Sequence, residues 1–148
     1  MCAFLIGDGN VDNIIRELTK QIEKSLLMDC VPVGAVIVNN GIIVGSGHNE
    51  KENSKCSVDH AEIIAIQNAC KHLNDWRLDE CELYVSLFPC LMCIGATNES
   101  RIKHIYYFVD NKNNIDVHKD LKTPINFTKL EDNYGFEKKL KEFFKSKR

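Results

Sequence analysis

The β-branched run Val33-Gly34-Ala35-Val36-Ile37-Val38 breaks at Asn39-Asn40-Gly41 and resumes as Ile42-Ile43-Val44. Two such runs joined by an Asn-Gly turn signal specify an antiparallel hairpin. The rest of the chain alternates helical and strand periods. Ile14, Ile15, Leu18, Ile22, Leu26 and Leu27 recur at helical spacing across 11–28, and Ala61, Ile64, Ala65, Ala69 and Leu73 do so across 61–73. Leu83-Tyr84-Val85-Ser86-Leu87 and Ile105-Tyr106-Tyr107-Phe108-Val109 read as buried strands, with a short helix over 90–97 opened by Pro89 between them. The polar, Asn- and Lys-rich stretch 110–120 reads as a surface loop or short helix. A last helix spans 135–147, with Phe136, Leu140, Phe143 and Phe144 as its apolar positions. The fold class expected is α/β: a three-layer α/β/α sandwich whose central sheet is mixed, because its first hairpin is antiparallel. One domain covering 1–148 accounts for the whole length.

Composition removes several function classes. Nineteen Lys and Arg against 21 Asp and Glu leave a formal charge of −2, which excludes a polycationic nucleic-acid coat but leaves room for a local basic patch. No apolar run approaches the ~20 residues that cross a bilayer, so no membrane partner is expected. The opening Met-Cys-Ala-Phe-Leu-Ile-Gly is too short for a signal core and has no basic flank, which points to a cytoplasmic protein. Seven cysteines cannot all pair internally. In a reducing compartment they serve as buried hydrophobes, metal ligands or reactive thiols.

The chemistry concentrates at His60-Ala61-Glu62 and Pro89-Cys90-Leu91-Met92-Cys93. Cys90 and Cys93 stand three apart at the start of a helix, where both thiols face one side and the positive helix end favours thiolate. With a neutral His60 they make three zinc ligands. Three protein ligands and an open position mark a catalytic zinc, whereas a structural zinc is closed by four. Two thiolates cancel the +2 charge, so a coordinated water gains from a nearby carboxylate; Glu62 suits that role better than a ligand's. Other readings stand beside this one. The Cys-x-x-Cys could be a redox pair, or Cys56 or Cys81 could close a structural zinc. Cys70 falls within an apolar helix pattern and fits the core, and Asp59 fits a helix N-cap or a charged loop. His48, His72, His104 and His118 take surface or packing roles.

His-x-Glu followed by Pro-Cys-x-x-Cys is the signature of the zinc deaminases. From about residue 13 onward the chain resembles the cytidine deaminase-like superfamily and, within it, the tRNA adenosine deaminases. Val31-Pro32-Val33-Gly34-Ala35-Val36 looks like that family's first strand, and Gly47-His48-Asn49 matches its Gly-x-Asn. His60-Ala61-Glu62-Ile63, Trp76-Arg77-Leu78 and Ser100-Arg101-Ile102 fit as well. The resemblance implies one Zn2+ per chain held by His60, Cys90 and Cys93, Glu62 as proton shuttle, and Asn49 hydrogen-bonding the substrate base or ribose. It further implies hydrolytic replacement of the C6 amino group of a flipped adenine, giving inosine and ammonia. The wobble adenosine of a tRNA anticodon stem-loop is the implied substrate, and a homodimer the implied assembly. The chain departs from the family pattern at Phe88, where Glu is usual, at Asp59, and at Phe108-Val109 in place of Gly-Ala.

Two further functions remain open at this level: a deaminase of a free base or nucleoside (cytosine, guanine or cytidine), and a zinc-stabilised interaction module. An unliganded Glu62 argues against the second. For RNA, Lys138, Lys139, Lys141, Lys145, Lys147 and Arg148 outnumber Glu137 and Glu142 across 137–148, with Arg101 and Lys103 adding charge past the zinc helix. Such a cluster can contact phosphates.

Overall fold

The computed structural model describes residues 8–112 and 121–148. In chain order the elements are α1 (Asp8–Leu27), β1 (Gly34–Asn39), β2 (Ile42–His48), α2 (Lys51–Ser54), α3 (Ala61–Leu73), β3 (Cys81–Leu87), α4 (Leu91–Glu99), β4 (His104–Val109), β5 (Asn126–Lys129) and α5 (Phe136–Ser146). The hairpin forms where the sequence places it. Asn39 pairs with Ile42, which leaves Asn40 and Gly41 as a two-residue turn at φ 51° and 79°. Both values are left-handed, the requirement of a type I′ turn.

The five strands form one sheet in the order β2-β1-β3-β4-β5. β1 is antiparallel to β2 and β3, whereas β3–β4 and β4–β5 are parallel. The sheet is therefore mixed, as expected. Its two faces are separable from the contacts. A Cβ on Gly34 would lie 2.9 Å from the Leu18 carbonyl oxygen, so that face of β1 meets α1. Val36, two residues on, pairs with Tyr84, which stacks on Tyr106 at 4.5 Å. Phe108, next on the same face of β4, meets Phe136 of α5 edge-on at 5.1 Å. Thus α1 and α5 share one face. On the other face, Gly45 and Gly47 of β2 lie directly under α3, and α4 packs beside α3. The three layers are complete.

Several local expectations need correction. β5 and α2 went unread in the sequence. Residues 110–112 form no helix or strand, and 113–120, with His118, lie outside the described residues. Within α5, Phe136 and Leu140 are buried but Phe144 is 49% exposed. The helix meets the sheet at β4, near Phe136, and its last turns run past that contact. His60, not Asp59, is the N-cap of α3, so Asp59 is a loop residue.

Candidate metal centre and active-site cleft

The strand directions bring one set of chain segments to one end of the sheet. β2, β3 and β4 end there, and antiparallel β1 begins there. A cleft opens at that end, lined among others by Val31 and Val33 before and at β1, Asn49 after β2, Leu87 and Phe88 after β3, and Asn111 after β4. Its volume of about 170 Å³ is below the ~300–1,000 Å³ of drug-sized ligand sites and suits a single nucleobase. The carboxyl ends of strands at a change of strand direction are the usual place for a ligand in an open α/β sheet.

Two helix N-termini point into this cleft. His60 caps α3 and Cys90 caps α4, both with extended backbone, and each carbonyl accepts the first helical hydrogen bond, from Ile64 and Ile94. Cys93 follows one turn into α4 and is fully buried. His60 Nδ1 lies 3.6 Å from Cys90 Sγ and 3.5 Å from Cys93 Sγ. A tetrahedral zinc at ~2.3 Å from sulfur and ~2.05 Å from nitrogen requires an N···S edge of ~3.6 Å. The three side chains are already spaced as such a metal needs. They are the one such group of three or more potential ligands among the described residues; Cys56, Cys81 and Glu62 do not belong to it. Cys90 is pulled down to about 3 by the hydrogen bonds of Cys93 and His60, while Cys93 is pushed up by the same partnership and by burial. The hydrogen bond to Cys90 raises His60.

Glu62 lies at the second position of α3, only 4% exposed, and lines the cleft without joining the ligand group. Burial raises its pKa above the ordinary carboxyl range. A carboxyl in that condition holds a proton more readily than an exposed one, which suits it to pass protons on. Asn49 also lines the cleft and is buried. Its side chain is committed within the chain: Nδ2 donates to the Val31 carbonyl (3.2 Å) and to Glu52 Oε1 (3.1 Å), while Oδ1 accepts the Lys51 amide (3.1 Å). Glu52 was not singled out in the sequence; its three-residue offset from Asn49 is the one signal for it. Phe88 forms part of the wall, stacked on Phe127 at 5.3 Å and edge-on to Tyr107 at 4.9 Å.

The remaining residues divide. His48 is buried beside α1, with Nδ1 2.9 Å from Gln21 Oε1, and His104 stacks on Tyr106, so both are packing histidines; His72 is exposed. Cys70 is half-buried against the core. Arg101 follows the far end of α4, roughly 14 Å of helix from Cys90 at 1.5 Å per residue, with its guanidinium 4.9 Å above the Trp76 ring. It stands away from the cleft. No helix among the described residues is long and apolar enough to cross a membrane.

Similarity to known proteins agrees with this geometry. A tRNA-specific adenosine deaminase of Streptococcus pyogenes is 43% identical over 98 residues, 66% of this chain and 62% of that protein. One of Bacillus subtilis is 42% identical over 93 residues, 63% of this chain and 58% of that protein. The matches thus span about three-fifths of these relatives' length. A chain solved in work on A-to-I editing by tRNA:A34 deaminases superposes with a TM-score of 0.72 at 27% identity, over 80% of this chain and 98% of that one. The Bacillus subtilis guanine deaminase shares the fold, with a TM-score of 0.63 at 24% identity over 90% and 93% of the two chains. The profile of the MafB19-like deaminases matches residues 9–148, and with the His60, Cys90 and Cys93 group at its centre this chain belongs to the MafB19-like deaminase family.

Proposed function

We propose that the chain is a zinc-dependent hydrolytic deaminase, a single domain acting in the cytoplasm as a homodimer, that converts the wobble adenosine of a tRNA anticodon to inosine with release of ammonia. The observation that carries the chemistry is the His60, Cys90 and Cys93 spacing beside a buried, unliganded Glu62. These three residues would hold the zinc, which when bound supplies the Lewis acidity that activates a water for attack at C6. Glu62 would take one proton from that water and deliver it to N1 of the ring, where it stays, and then carry the remaining hydroxyl proton to the departing amino group. Water adds, ammonia leaves, and the balance closes on inosine. Asn49 and Phe88 form the wall against which the ring and its ribose lie.

The RNA part of the reading is supported by the named relatives and by the position of α5. Lys147 forms an ion pair with Asp29, two residues before Val31 at the cleft wall. The basic end of α5 is thereby tied to the segment that leads into the cleft wall. Lys141 pairs with Glu137, while Lys138, Lys139, Lys145 and Arg148 make no ion pair among the described residues and remain available for phosphates. The test is ammonia release from anticodon stem-loop RNA, adenosine, cytidine, cytosine and guanine in parallel. Turnover of the stem-loop with little of free adenosine is expected. Robust turnover of a free base with none of RNA would replace this reading with a free-base deaminase.

A further inference from the structure

Resting on the deaminase reading, we infer that Glu52 is a positioning residue: its carboxylate takes up the second Asn49 amide proton, so that only an acceptor lone pair remains for the substrate. The side-chain orientation of an asparagine is decided by its partners. Here two of them are backbone groups of fixed polarity. The Val31 carbonyl can only accept and the Lys51 amide can only donate, so Nδ2 must face Val31 and Oδ1 must face Lys51. A flip would break both bonds. Glu52 Oε1 takes the second Nδ2 proton at 3.1 Å and also the Val31 N–H at 3.1 Å. One carboxylate oxygen thus joins the two segments that form this rim of the cleft.

Asn49 therefore has no donor left to offer, and one of the two lone pairs on Oδ1 is free. The ring nitrogens N1, N3 and N7 of adenine are acceptors and cannot use it. A ribose hydroxyl or an exocyclic amino group can. Glu52 closes off this last donor without holding the Asn49 main chain, which is anchored independently: its N–H donates to the Val33 carbonyl (3.0 Å) and its carbonyl accepts Ser25 Oγ–H (2.8 Å). Losing the carboxylate leaves the second Nδ2 proton uncapped beside the free lone pair and leaves the main chain in place.

The test is a double-mutant cycle on zinc-loaded protein, measuring kcat and KM on anticodon stem-loop RNA. Glu52→Ala should raise KM about tenfold with kcat within about twofold, the pattern of lost binding and not of lost chemistry. Glu52→Gln retains the Oε1 acceptor and should stay within about twofold of the unaltered protein. On an Asn49→Ala background, Glu52→Ala should add nothing. An equal KM increase on both backgrounds, or Glu52→Gln as impaired as Glu52→Ala, would overturn the inference. If the unaltered protein processes a free base and no RNA, the RNA reading fails, and the same cycle on that base decides the role of Glu52.

Discussion

Adding one methyl group at Gly47 should disable the centre from the opposite side of α3. An ideal Cβ there would lie 2.5 Å from the Ala61 carbonyl oxygen, 2.7 Å from the Ala65 nitrogen and 2.9 Å from Ile64 Cβ. Two of the three are backbone atoms, so no rotamer change relieves the overlap. Ordinary contact begins near 3.4 Å, and Gly47→Ala must push α3 away from β2 by nearly 1 Å. Overpacking of that kind costs about 1–3 kcal/mol. In a domain of this size each kcal/mol lowers Tm by about 2–4 °C, so a fall of about 2–12 °C is expected. The displaced helix carries His60 and Glu62 at its first turn, and misplacing reacting groups by 1 Å can cost about 100-fold in rate. Calorimetry, zinc stoichiometry and kcat, each measured against Gly95→Ala, provide the assay. Gly95 is the control because its added Cβ meets nothing within 4 Å, and an alanine inside α4 should be neutral or stabilising by up to about 1 kcal/mol. A Gly47→Ala protein with unchanged Tm and unchanged turnover would refute the claim that α3 is seated by this contact.

Four further outcomes are expected. Glu62→Gln should keep its zinc and lose turnover by roughly 100- to 10,000-fold; near-normal rates would remove Glu62 from the proton path. Cys90→Ala and Cys93→Ala should each lose the metal, and elemental analysis finding about one zinc per chain in both would place the site elsewhere. Binding of stem-loop RNA should weaken with salt at a slope of roughly −0.7 in log–log terms per phosphate contacted, and replacing Lys145 and Arg148 with Ala should flatten it; an unchanged slope would detach α5 from RNA binding. Burial holds His48 below its ordinary value of 6.5, so the neutral ring's contribution to stability is intact above that pH and declines as pH falls below it. The urea midpoint should drop between about pH 7 and pH 5, less steeply in His48→Gln; parallel curves would show that His48 is not a source of the acid sensitivity.

What could be read from the sequence follows from how local each cause is. The Asn40-Gly41 turn needs two adjacent residues with left-handed φ, and α3 needs small and apolar side chains on one face, so both were legible. The ligand set was legible because His60-x-Glu62 and Cys90-x-x-Cys93 are local spacings whose convergence only the sheet completes. β5 was not, since Asn-Phe-Thr-Lys carries one apolar residue and is a strand because β4 offers a parallel edge to it. α2, Lys-Glu-Asn-Ser with no buried residue, has no periodic signal at all. Phe144 fits the period of α5 but outruns the surface that would cover it. Glu52 was illegible for a different reason: its importance lies in bonds to Val31, twenty-one residues earlier, and to Asn49.

The candidate ligands come from two helix ends that meet only after β1 has settled beside β3, so metal binding and fold would be linked by mass action. A species that binds the folded chain and not the unfolded one adds RT ln(1 + [L]/Kd) to stability, about 2.7 kcal/mol when free metal is a hundredfold above Kd. Under the proposed function, free zinc would be a variable of folding as well as of turnover. Because a thiol must lose its proton to become a ligand, metal uptake at Cys90 and Cys93 would release protons, and affinity would rise with pH. Metal scarcity and mild acid would therefore act through one equilibrium, thinning the folded population along with the catalyst.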